Sequence, residues 1–143
     1  MGFIVKTVRS LIEIANRIPV SLFEFLMRVA VGTAFFRSGL VKIQSWDSTI
    51  GLFRDEYKVP VLPPEIAAYM ATACELTAPV MLLFGFGTRF AAAAMFCQAM
   101  VIQTFVYPES WPDHILWLGI LGYLISRGAG KLSLDYLIAR KFK

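Results

Sequence analysis

The sequence predicts an all-α membrane protein: a four-transmembrane-helix bundle preceded by an N-terminal interfacial amphipathic helix. Three observations lead there. Of the 143 residues 57% are hydrophobic, and a mean hydropathy of +0.63 is too apolar for a water-soluble domain of this size. Four stretches, 21–43, 66–84, 90–106 and 111–126, are long and apolar enough to be read as spans. Ahead of them, residues 1–18 carry apolar and charged residues on opposite arcs of a helical wheel. No repeat, low-complexity tract or second domain interrupts residues 1–143, which are read as one domain.

In the opening segment Ile4, Val5, Val8, Leu11, Ile12, Ala15 and Ile18 share one arc, while Lys6, Arg9, Glu13 and Arg17 share the other. Such a helix lies along a membrane surface, and Pro19 lets the chain turn into the bilayer. A cleavable signal peptide is not expected, because the first long apolar run lies too far in and lacks a small-residue cleavage site. In the first span Glu24, Arg28, Gly32, Phe35, Gly39, Lys42 and Trp46 recur every three or four residues and form one stripe. Its glycines allow a neighbouring helix to approach closely. Residues 45–64 are expected to be a long loop, stiffened by Pro60, Pro63 and Pro64, that caps one face.

The second span places Ala68, Ala71, Thr72, Glu75, Pro79 and Leu82 on a stripe of mostly small residues around one carboxylate. A tight turn at 85–88 follows, with Gly85 and Gly87 as helix terminators. The third span sets Ala91, Ala94, Gln98, Ile102 and Phe105 around one amide, and the fourth starts at headgroup level with Trp111, Asp113 and His114. Lys and Arg crowd the segments before span one, after span two and after span four, so the positive-inside rule places both termini in the cytoplasm. This charge orients the chain; no nucleic-acid partner is expected.

A charge inside a span costs about 3 kcal/mol or more unless it is paired. Helical rise of about 1.5 Å per residue places Arg28 roughly 10 to 12 Å from the cytoplasmic end, with Glu75 and Gln98 near that level. These three are therefore expected to meet, Arg28 offering a planar fork to the Glu75 carboxylate. The same cluster serves equally as a buried strut that fixes helix register. Lys42, His114 and Trp117, together with Trp46, Tyr69 and Gln103, fall in the outer thirds of their spans. His114 is the only histidine. With no second ligand it makes no metal site, leaving two readings: an interfacial residue at a helix start, or a donor to a ligand carbonyl. Arg37 and Tyr123 face away from these stripes. Cys74 and Cys97 both count to mid-membrane, as small apolar fillers or as a redox pair.

These residues carry a resemblance. RVAVGTAFFRSGLVKIQSW, with Arg28, Gly32, Gly39 and Lys42, resembles the first motif of the DoxX family of small four-helix bacterial membrane proteins. VPVLPPEIAAYMATACELTAPVMLLFGFGTRFAAA resembles its proline-rich entry, its glutamate at Glu75 and its G-x-x-T-R turn ending at Arg89. YPESWPDHILW, ending on His114 and Trp117, resembles the third motif, and GAGKLSLD resembles a GPGxxSLD tail with Ala129 where proline is usual.

The resemblance implies a bacterial inner-membrane location and a link to membrane oxidoreductase systems and quinone, since the family takes its name from a subunit of a thiosulfate:quinone oxidoreductase. No haem, flavin or iron–sulfur motif is present, so a redox role needs membrane quinone, a partner subunit, or both; a protein subunit or a homo-oligomer is the expected protein partner. The expected ligand-binding set is Arg28, Glu75 and Gln98 as the floor of an inter-helix cavity and Lys42, His114 and Trp117 at its mouth. The alternative is a non-enzymatic membrane scaffold or assembly partner, with the polar layer holding register. A transporter ranks third, because four spans leave little room for alternating access.

Overall fold

The structure is a computed structural model and describes residues 2–142. It is all-helical, with no strand among the described residues. Helix α1 (Gly2–Asn16) is followed by α2 (Val20–Gln44), a short α3 (Trp46–Leu52) that runs into a π-helical turn at Phe53–Tyr57, and α4 (Pro64–Phe84). Then come α5 (Thr88–Val101), extended by a second π-helical turn at Ile102–Val106, then α6 (Trp111–Arg127) and α7 (Leu134–Lys141).

Local chemistry sets the boundaries. Pro19 is extended at the start of α2 (ψ 129°), and α1 and α2 meet there at 61°. Pro64 occupies the first turn of α4, where its missing N–H is harmless. Gly85 ends α4 in the left-handed region (φ 64°), and the Phe86 N–H reaches back to the Met81 carbonyl at 2.9 Å, the pairing of a glycine-terminated helix.

Helices α2, α4, α5 and α6 alternate in direction and form a ring: α2 packs on α4, α4 on α5, α5 on α6, and α6 returns to α2. Val31 and Phe35 of α2, Ala78 and Leu82 of α4, Ala91, Ala92, Met95 and Ala99 of α5, and Leu118, Leu121 and Leu124 of α6 make the core. The stretches Pro64–Phe84 and Thr88–Val106 are each long and apolar enough to cross a membrane, and α2 qualifies only together with α1 across their bend. Around the ring, Leu26, Val41, Leu83, Phe90 and Leu116 are exposed. Water does not tolerate so much outward apolar surface on every side, whereas lipid does.

The ring has two unlike ends. At one, the 85–88 turn, α1 and the tail from Gly128 onward gather; at the other, α3 and the segments 53–63 and 107–110 cover the helix ends. The covering segment is a correction to the expected loop over 45–64. It is largely helical, because Trp46, Ile50, Phe53 and Tyr57 recur at three- and four-residue spacing and pack on Ala67, Ala68 and Ala71 of α4.

Candidate functional site

The α2–α4 interface sets the polar residues. Gly39 brings α2 so close to α4 that a Cβ there would lie 3.0 Å from the Glu75 Cβ and 2.9 Å from the Leu76 Cδ2. One turn further, Lys42 therefore lands on Glu75. Its ammonium donates to both carboxylate oxygens, at 2.9 and 2.8 Å, and to the Ser38 hydroxyl at 2.8 Å. From α5, the Gln98 Nε2 donates to Glu75 Oε1 at 2.8 Å. The Glu75 side chain is only 2% exposed and that of Lys42 15%, so this ion pair is held away from water. Gln98 Oε1 is left buried with no partner.

This cluster forms one wall of a cavity of about 470 Å³. Phe35, Met70, Ala71, Ala94 and Val101 make apolar walls, and both cysteines border it, as free thiols. The covering segment borders the cavity with Phe53, Tyr57, Val59 and Leu62, and the π-helical turn after α5 contributes Ile102 and Val106. Both π-helical turns thus border the cavity; the extra residue in such a turn re-aims side chains and often accompanies functional sites. Tyr57 stands edge-on to Phe53 at 5.0 Å. Burial, helped by the Tyr107 hydroxyl, raises its phenol above the usual range and keeps the O–H on.

His114 and Trp117 border the cavity from α6. Their rings lie 5.0 Å apart, and Trp117 meets Phe35 edge-on at 5.3 Å. His114 is 3% exposed, and its Nδ1 lies 2.6 Å from Gln103 Oε1, while Gln103 Nε2 donates to the Pro108 carbonyl at 2.8 Å. That second bond settles which way the amide points, so the His114 Nδ1 carries a hydrogen and donates it to Gln103. Gln103 is the residue that sequence reasoning left at the margin; it fixes a hydrogen on Nδ1 of the single histidine.

Of the six residues expected to bind a ligand, Lys42, Glu75, Gln98, His114 and Trp117 border the cavity; Arg28 does not. The expected Arg28–Glu75 pair is corrected: Arg28 lies at the other end of the ring, fully buried, donating to the carbonyls of Leu82 (2.9 Å), Leu83 (3.3 Å) and Leu132. Its guanidinium lies over the Phe25 ring at 5.3 Å. Depth counted from the helix starts fails because α2 begins well beyond the end of α4. Arg28 is level with Leu82, Gly32 with Pro79, and Gly39 with Glu75, which separates Arg28 from Glu75 by about 11 Å of rise. The free carbonyls at the end of α4 satisfy Arg28 in place of a carboxylate.

Arg28 therefore fastens the tail. Asp135 does the same from the tail side, accepting from the N–H groups of Gly87 (2.7 Å) and Thr88 (2.9 Å) at the start of α5. Gly130, at φ 76°, passes so close to Glu24 that a Cβ would fall 1.8 Å from its Oε2, and Glu24 accepts from the Tyr123 hydroxyl at 3.2 Å. The GAGKLSLD motif is thus a structural clamp beneath the bundle.

The DoxX family model matches residues 23–108, which include the cavity residues Lys42, Glu75 and Gln98. An uncharacterized protein of Haemophilus influenzae is 31% identical, over 82% of this chain and 83% of its own length. No solved structure matches.

Proposed function

Because the chain belongs to the DoxX family, a group of membrane proteins, we propose that it is a quinone-associated redox subunit of a bacterial inner-membrane oxidoreductase system. In this reading all four long helices span the bilayer and both termini lie in the cytoplasm. Charge supports that orientation: Lys6, Arg9, Arg17, Arg89, Arg127, Lys131, Arg140 and Lys141 belong to the end that holds the 85–88 turn, α1 and the tail.

The observation that carries the proposal is the cavity of about 470 Å³, apolar along most of its wall and ending on a buried Lys42–Glu75–Gln98 cluster. A ring with an isoprenoid tail needs apolar walls and a few polar groups at its oxygens. Phe35, Ala71 and Val101 would flank the ring or tail, and the Tyr57 O–H and Trp117 N–H would donate to the oxygens, with His114 beside Trp117. The residues fit such a guest, because the lining brings an O–H on Tyr57 and an indole N–H on Trp117 to walls that are otherwise mostly apolar. Bound quinone would supply two-electron, two-proton redox chemistry. The chain's own part is to bind and orient it and to hold the Lys42–Glu75 charges in fixed geometry beside it.

The test is mass spectrometry of lipids extracted from purified protein, with thermal melts in the presence of added quinone. Quinone enriched above its share of the membrane, and depleted in a folded Glu75→Gln variant, is the expected result. Enrichment no greater than the bulk membrane, with unmoved melting, would sink the proposal. It would leave the second reading, a membrane scaffold, which rests on a separate observation: α1 and α7 bury none of their residues and offer free faces to a lipid surface or a protein.

A further inference from the structure

We propose that a second pocket, at the opposite end of the ring from the cavity, holds a phosphate group between the guanidiniums of Arg89 and Arg127. The proposal is independent of the quinone reading.

Topology makes the site. Arg89 is the second residue of α5 and Arg127 the last of α6. These helices pack side by side in opposite directions, so both arginines come to the end that holds the 85–88 turn and the tail. There they border one depression of about 540 Å³. The Arg89 side chain reaches from the start of α5 toward the end of α6: its Nε lies 3.6 Å from where a Cβ on Gly128 would stand, and Gly128 itself borders the pocket.

Charge gives the site its ligand class. Two cations around one depression repel each other unless an anion joins them, and the chain supplies no free one. The ion pairs among the described residues are Lys42–Glu75 and Arg54–Glu65, both toward the cavity end, so Arg89 and Arg127 are unpaired. One carboxylate shares the wall, that of Asp135, but its two oxygens already accept from the N–H groups of Gly87 and Thr88. Two guanidiniums against this one carboxylate leave the wall positive. The same bonds occupy the start of α5, so the site rests on its side chains and not on a helix end. A guanidinium presents a planar fork that matches the oxygens of a phosphate, and two of them can grip one phosphate from both sides.

Depth indicates where the phosphate comes from. The pocket stands where α5 begins, the level at which a span leaves hydrocarbon and meets phospholipid phosphates. Phe90 and Tyr136, both exposed, form its rim, an aromatic edge that suits the glycerol and acyl chains of a lipid and that inorganic phosphate does not use. Basic pockets between transmembrane helices on the cytoplasmic side take anionic headgroups in this way.

The experiment is 31P NMR of the full chain, purified in a maltoside detergent that carries no phosphorus and titrated separately with short-chain phosphatidylglycerol and with inorganic phosphate. The phosphatidylglycerol signal is expected to shift and broaden saturably. Arg89→Gln with Arg127→Gln should weaken that binding about tenfold or more. Arg140→Gln with Lys141→Gln removes as much charge from the last turn of α7, outside the pocket, and should weaken it no more than about twofold. Both pocket arginines are exposed, so the variant should fold, with an unchanged melt as the check; the titration of the unaltered chain decides without any variant. Inorganic phosphate that binds as tightly as the lipid, with the same dependence on Arg89 and Arg127, would keep the phosphate site and make free phosphate its ligand. No saturable binding of either probe, or an equal loss in the two double variants, would overturn the proposal.

Discussion

Removing Lys42 alone should be among the most damaging single changes in the chain. In Lys42→Met the side chain keeps most of its length and apolar contact, while Glu75 loses the ammonium that touches both of its oxygens at 2.9 and 2.8 Å. Only Gln98 then remains on a carboxylate that is 2% exposed. Breaking a buried pair from one side costs about 3 to 5 kcal/mol, because the partner is left uncompensated; replacing both members is often close to neutral. Lys42→Met should therefore lose about 3 kcal/mol, and Lys42→Met with Glu75→Leu should recover most of it, a coupling of about 2 kcal/mol or more. Arg28→Met combined with Glu75→Leu should show no coupling beyond about 0.5 kcal/mol, as expected for sites without a shared partner. Reversible unfolding in mixed micelles, followed by tryptophan fluorescence, measures all of these. Strong coupling of Glu75 to Arg28 with none to Lys42 would refute the α2–α4 register.

Three further predictions concern the clamp at the opposite end. Arg28→Lys should release the tail, because one ammonium cannot span the Leu82, Leu83 and Leu132 carbonyls; hydrogen exchange at residues 128–141 should rise while the cavity end stays protected. Gly130→Ala combines a left-handed φ of 76° with a Cβ placed on Glu24, and should cost about 1 to 3 kcal/mol, seen as a lower melting temperature; an unchanged melt would contradict the close approach. Asp135→Ala removes the carboxylate that caps α5 through Gly87 and Thr88 and should cost about 1 kcal/mol, with Asp135→Asn recovering part of it.

Much of the helical layout could be read from run length and 3.6-residue periodicity. The helix Val20–Gln44 lies where the first apolar run predicts it, and Gly85 and Gly87 mark the turn between α4 and α5. Lys42, Glu75, Gln98, His114 and Trp117 were legible as a group because each is a polar or amphipathic residue within an apolar stripe. Their pairing was not. The stripe on α2 carries two cations and α4 only one buried carboxylate, and the choice between them depends on where each helix starts relative to the other, a tertiary quantity. Gly39 was the available signal: a glycine one turn before Lys42 marks the point of closest approach, and hence which cation meets Glu75.

Other features lay outside what local sequence can reveal. The aromatic stripe Trp46, Phe53, Tyr57 is masked by Asp47, Arg54, Asp55, Glu56 and Lys58, so the helical cover resembles a charged loop. The tail motif binds Arg28 across 104 positions, and neither partner announces the other. Gln103 matters through one hydrogen bond to His114, and the π-helical turn over Ile102–Val106 that carries it has no composition signal of its own.

Photolabelling with a quinone that carries a diazirine on its ring, followed by peptide mapping, puts the cavity to the most direct test. The account predicts adducts concentrated on cavity-bordering residues of α4 and α5 that are not exposed on the outer surface, such as Ala71, Cys74, Ala94 and Val101, suppressed by excess unlabelled quinone. Adducts spread over the outward residues Leu83, Phe90 and Leu116, indifferent to competitor, would contradict it.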